Sequence, residues 1–116
     1  MKNSKQQPQQ LVWTAESTHP ALIEPLKENF RKVLDPEIGL NVIELGLVRD
    51  VVINSASAEV SMMMTTPFCP YAPALLEMTR QKAEEVLKIP TTIEMSMDPW
   101  DPSFMEEGAG AAWGFF

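Results

Sequence analysis

The most regular hydrophobic pattern in the chain follows Pro70. Ala72, Leu75, Leu76, Thr79, Ala83, Val86 and Leu87 recur at helical spacing, with Glu77, Arg80, Gln81, Glu84 and Glu85 between them. This predicts an amphipathic helix from about Pro70 to Lys88, ended by Pro90. An earlier stripe of Leu26, Phe30, Val33 and Leu34 predicts a helix that opens at Pro25. Proline suits a first helical position and is disfavoured in the interior. Pro36 restricts the residue before it, so this helix stops by Asp35. Asp35 to Asn41 then reads as a loop, with Gly39 as its conformationally free member.

Elsewhere the period drops to two. Ala58, Val60, Met62 and Met64 alternate with Glu59, Ser61, Met63 and Thr65, which predicts a strand with one apolar face. A strand from Leu45 to Ile53 precedes it, with Leu45, Leu47, Val51 and Ile53 on one face. Arg49 falls on that face too, which implies a sheet edge or a charged partner. Asn54 to Ser57 reads as the turn of a hairpin between the two. A last strand, Thr92 to Met97, sets Ile93, Met95 and Met97 on one side. The order is α-β-β-α-β. One small mixed sheet with both helices on one face buries every apolar side, giving an α/β two-layer sandwich of the α+β type.

Length and composition change this picture little. At 116 residues and 45% hydrophobic, the chain is long enough for one core. Residues 1–18 are polar and glutamine-rich and are expected to be a disordered tail; 19–105 form the domain; 106–116 are an apolar tail of Gly, Ala and aromatics. That last stretch is too short to span a membrane, and no signal-type or membrane-spanning segment is evident. A single cysteine forms no internal disulfide, so a cytoplasmic protein is the expectation. The net charge of -7 and scattered basic residues argue against nucleic acid as a partner. A KH-like reading also lacks its Gly-x-x-Gly loop.

The chemistry concentrates at Cys69, within Thr65-Thr66-Pro67-Phe68-Cys69-Pro70. If Pro70 takes the first helical position, Cys69 lies near the N-cap, where the helix dipole favours thiolate. Pro67 and Pro70 stiffen the approach. The alternative is a small buried hydrophobe of no chemical consequence. His19 is the only histidine, and one Cys with one His falls short of a zinc site. Asp35 and Glu37 are two carboxylates in a stiff loop, suited to a metal, to acid-base work or to capping a turn. Met62, Met63, Met64, Met78, Met95 and Met97 offer soft copper ligands but fall mostly at inward positions, where core packing is the simpler reading. Met63 points to the opposite sheet face, which implies a cover there. Neither a phosphate-binding loop nor a dinucleotide fingerprint is present.

Three segments together resemble one family. Asp35-Pro36-Glu37-Ile38-Gly39 with Asn41-Val42-Ile43-Glu44-Leu45-Gly46-Leu47-Val48 is similar to its opening signature. Thr65 to Pro70 is similar to its central one, and Asp98-Pro99-Trp100 to its closing one. The family is the iron–sulfur cluster assembly domain-like group, including SufT-like proteins and PaaD-like subunits. The resemblance implies a small accessory domain, not an enzyme, serving the maturation of iron–sulfur proteins. It makes Cys69 the functional cysteine, with Asp35 and Glu37 in an acidic loop near it and Thr65, Thr66, Pro67 and Pro70 around it. Phe68 replaces a frequent glycine, and no cysteine follows Cys69, which favours the SufT-like branch.

A cluster normally takes four ligands, mostly thiolates. One thiol per chain therefore implies transient handling of iron or a cluster, or a homodimer that supplies two thiolates, or no cofactor at all. Iron–sulfur carriers or client proteins are the implied partners. A non-catalytic adaptor of a maturation or oxygenase complex, with Cys69 structural, is the alternative. A thiol-redox enzyme lacks a second, resolving cysteine.

Overall fold

The computed structural model describes residues 12–36, 38–65 and 70–106. Within them lie α1 (Ala15–Thr18), α2 (Pro20–Phe30), β1 (Val48–Ile53), β2 (Ala58–Met62), α3 (Ala72–Leu87), β3 (Thr91–Met95) and a short 3-10 turn at Pro102–Phe104. The predicted α-β-β-α-β core is present, with α1 and the 3-10 turn added at its ends.

β1 and β2 pair antiparallel, with Val51 opposite Val60 and Ile53 opposite Ala58. β2 and β3 pair parallel, with Val60 opposite Ile93. The sheet is therefore mixed, in the order β1-β2-β3. α3 makes the crossover between the parallel strands and packs on β3 and β2, while α2 packs on α3. Leu26 and Phe30 of α2, Leu75 and Ala83 of α3, and Val51, Val60 and Met62 of the sheet fill the space between.

Four expectations are corrected. α2 begins at Pro20, so Pro25 lies inside it. Pro25 has no N–H to give Ala21, but both residues are solvent-exposed while Ile23, Leu26 and Phe30 face the core. Core burial on the other face outweighs one missing bond on the wet face. The helix ends at Phe30; Val33 is buried beyond it, and the exposed Leu34 bridges to Asn41.

For Arg49 the expected edge and charged partner are present, and only its place on the apolar face is the second correction. The register slips between Val48 and Asp50, so Arg49 is the extra residue of a bulge. The bulge restores Val48, Val51 and Ile53 to the buried side. Arg49 lies on the edge strand and pairs with Asp98 at 2.9 Å.

The third concerns the N-terminal tail. Residues 1–11 lie outside the described part, but 12–18 are folded, not disordered. Trp13 is only 3% exposed, and its Nε1 donates to the Val48 carbonyl at 3.1 Å. Its ring meets Phe30 edge-on at 5.9 Å between centroids. Thr14 donates from N (2.6 Å) and Oγ1 (3.0 Å) to the Asp50 carboxylate, which ties this segment to β1. One buried aromatic and one carboxylate outweigh the polar composition around them.

The methionines are the fourth. Met62 and Met64 are buried in the core, as inward packing requires, and Met63, expected on the opposite face, is buried as well. Met78 and Met95 are exposed by 40% and 38%, and Met97 by 79%. β3 ends at Met95, so Met97 has left the ladder before it can reach the core.

Candidate functional site

The opening signature folds into a single helical turn fixed by its own side chains. Asn41 Oδ1 accepts from the N–H groups of Ile43 (2.9 Å) and Glu44 (2.8 Å). Glu44 Oε1 accepts in return from Asn41 N at 2.9 Å. This reciprocal capping box satisfies the free donors of the turn. Leu45 N donates to the Asn41 carbonyl at 3.0 Å, and Gly46, at φ +71°, ends the turn in the left-handed region. A Cβ at Gly46 would lie 2.7 Å from the Phe104 carbonyl carbon. Only glycine meets both demands.

That close approach marks where the C-terminal segment crosses. Trp100 Nε1 donates to the Leu45 carbonyl at 2.7 Å, and Glu106 N donates to the Glu44 carbonyl at 2.8 Å. Met105 is buried in the core between them in sequence. Arg31 at the end of α2 grips Glu106 with two nitrogens, at 2.9 and 2.6 Å. Hydrogen bonds from Arg31 hold the Glu106 carboxyl below its ordinary range against a partial opposing cost of burial.

The closing and central signatures meet at a cleft of about 330 Å³. Thr65, the first residue of the central signature, lines it together with Met64, Met95, Met97, Asp98 and Trp100. Asp98 is held below the usual carboxylate range by hydrogen bonds from Arg49 first and Ser96 second. Trp100 thus belongs both to the Leu45 contact and to the cleft wall. Through it the closing signature links Leu45 of the opening one to the cleft that Thr65, the first residue of the central one, also lines.

Asp35 is 2% exposed and organises the loop before the capping box. Its carbonyl accepts from Gly39 N at 2.7 Å, its Oδ1 from Ile38 N at 3.3 Å, and its N–H donates to the Leu40 carbonyl at 3.0 Å. Gly39 makes the loop possible at φ +84°. Of the readings open for Asp35, turn capping is what these bonds show. Glu37, Thr66, Pro67, Phe68 and Cys69 lie outside the described residues.

Pro70 is described, and there the expectation is corrected. α3 opens at Ala72 with Tyr71 as N-cap, and the proline of its first turn is Pro73, with Pro70 exposed in the turn before it. Two prolines compete for the start, and the helix takes the later one. The dipole argument for Cys69 required the helix to open at Pro70, since the effect fades within a turn. His19 instead caps α2 and has Nδ1 2.8 Å from Thr18 Oγ1. Among the described residues, no group of three Cys, His, Asp or Glu side chains is placed to hold a metal ion.

Sequence reasoning took Asn41 as the end of a loop and missed its capping role, although Asn followed three residues later by Glu is a readable signal. It also missed Trp13 and the Arg31–Glu106 clamp. No sequence signal joins partners 75 residues apart.

The family profile described as iron-sulfur cluster assembly protein matches residues 25–95. An Fe-S protein maturation auxiliary factor of Porphyromonas gingivalis is 35% identical over 95 residues, covering 79% of this chain and 90% of that protein. The maturation auxiliary factor SufT of Staphylococcus aureus is 30% identical over 86 residues, covering 71% of this chain and 97% of that one. The crystal structure of a domain of unknown function from Bacillus anthracis superposes with a TM-score of 0.73 at 27% identity, over 86% of this chain and 98% of that domain. The family matches the resemblance carried by the three signature segments, and the chain belongs to the iron–sulfur cluster assembly protein family.

Proposed function

We propose that this chain is a non-catalytic accessory factor in the maturation of iron–sulfur proteins, and that Cys69 handles iron or a cluster as transient cargo. The Trp100–Leu45 bond and the cleft that Trp100 shares with Thr65, at the start of the signature holding Cys69, carry this reading. Relatives named as maturation auxiliary factors, aligned over most of their own length, support it.

In this account the rigid parts are the capping-box turn and the clamped C-terminal segment. They adjoin the cleft at Thr65, and Asp35 with Glu37 is the acidic loop that the family resemblance implies. A single thiolate is a weak anchor for a cluster, and weak ligation suits release to a client. Two chains together would supply two thiolates. Iron–sulfur carriers and client apoproteins are the partners this requires. No described helix is long and apolar enough to cross a membrane, and a cytoplasmic setting fits the chemistry.

A second reading, an adaptor in which Cys69 is structural, draws on the exposed Met95 and Met97 beside the cleft. Methionine surfaces adapt readily to partners. Anaerobic reconstitution with iron and sulfide separates the two. Visible cluster absorption in the wild type, lost in Cys69→Ser, is the expected result. Equal absorption in both proteins, or none in either, removes Cys69 from cargo handling and leaves the adaptor.

A further inference from the structure

The cleft that Thr65 shares with Trp100 also holds three thioethers that the iron–sulfur reading does not use. β2 and β3 run parallel with Met62 opposite Met95. Ser96 N donates to the Met62 carbonyl at 2.6 Å, so the strands stay joined beyond the last residue of β3. Neighbouring strands lie about 4.8 Å apart, and residues two apart share a face at about 7 Å. Met64 lies two residues past the end of β2 and Met97 two past the end of β3. Met64, Met95 and Met97 all line the one cleft of about 330 Å³. Met64 forms its buried side, and Met95 and Met97 its exposed side.

We propose that Met64, Met95 and Met97 form a thioether site for a soft monovalent cation, Cu(I) or Ag(I). Core packing explains Met64 but not Met97, which is 79% exposed. Single exposed methionines are ordinary. Three lining one opening, at and just beyond the ends of two adjacent strands, are a donor set. Thioethers are neutral and soft, so they select Cu(I) and leave Mg(II) and Ca(II) in water. Trp100 lines the same cleft. Asp98, held by Arg49 at 2.9 Å, adds a carboxylate at the opening. The proposed donors are thioethers, so the site is testable without the Cys69 thiol.

Ag(I) is the probe, because it is redox-inert and shares the ligand preference of Cu(I). Binding is measured by native mass spectrometry and calorimetry in the Cys69→Ser protein, which removes the competing thiol. One Ag(I) per chain is expected. Its affinity should fall by about tenfold or more when Met95→Leu and Met97→Leu are added, because leucine keeps the volume and removes the sulfur. Zn(II) and Mg(II) should not compete. Affinity should also hold constant from about pH 5 to 8, since a thioether does not titrate there as thiol and imidazole do. Unchanged Ag(I) affinity in the leucine variant, or no Ag(I) bound by Cys69→Ser, overturns the site. The replaced side chains are exposed, so loss of fold does not cloud the comparison.

Discussion

Trp100 and Leu45 are 55 residues apart, and the indole Nε1 of one donates to the carbonyl of the other at 2.7 Å. This bond joins the closing signature to the opening one. It also positions the ring that walls the cleft at Thr65. Leu45 is buried, so its carbonyl has little water to fall back on. Trp100→Phe keeps most of the apolar body and removes the donor. The expected cost is about 1–2 kcal/mol of unfolding free energy, the penalty for an orphaned buried acceptor. Urea denaturation measures it. A loss within the error of the wild type would mean the bond contributes nothing.

Gly46 and Gly39 offer a controlled pair. Both have positive φ, at 71° and 84°. Nothing lies within 4 Å of a Cβ at Gly39, whereas one at Gly46 meets the Phe104 backbone. Gly39→Ala should cost about 1–2 kcal/mol, the left-handed penalty alone. Gly46→Ala must also displace the C-terminal segment and should cost clearly more. Equal midpoints for the two variants in thermal or urea melts would refute the close approach.

Trp13 tests whether the folded body begins before residue 19. Its ring is buried against Phe30 and its Nε1 is bonded to Val48. Trp13→Ala should destabilise by about 3–5 kcal/mol, as for other buried aromatics. A change below about 1 kcal/mol would return this segment to the status of a solvated tail.

The Arg31–Glu106 clamp makes a pH prediction. Glu106 has an ordinary pKa near 4.5 and is lowered in the fold. A lowered carboxyl pKa stabilises the fold fully above the ordinary value. That contribution shrinks as pH falls through 4.5 toward the lowered value and is gone below it. Both partners are partly exposed, so the effect is modest and weakened by salt. Glu106→Gln should therefore be less stable than wild type at about pH 7, with the gap narrowing as pH falls below 4.5. A gap that widens on acidification would contradict the clamp.

The parts of the fold that could be read in the sequence were those governed by local periodicity. The α3 stripe and the β2 alternation both state their burial directly, and the hairpin between Asn54 and Ser57 follows from its turn residues. What escaped depends on events that periodicity does not encode. A bulge at Arg49 resets the face of β1 in mid-strand. Pro25 is tolerated because its side of α2 is wet. Trp13 is buried by contacts with Phe30 and Val48, far along the chain. Of the site, the three signature segments were legible as motifs. Their assembly was not, because Trp100–Leu45 and Arg31–Glu106 are tertiary contacts. Pro70 was misread for a simpler reason: Pro73 is an equally good helix opener three residues on.

The most direct test of the account is a maturation assay. An apo iron–sulfur enzyme is activated by a loaded scaffold, and the rate is followed with and without this chain under anaerobic conditions. Faster activation by the wild-type chain and no acceleration by Cys69→Ser are expected. Acceleration by both proteins alike would leave the accessory role and remove Cys69 from it. Absence of any acceleration by the wild type would contradict the central claim.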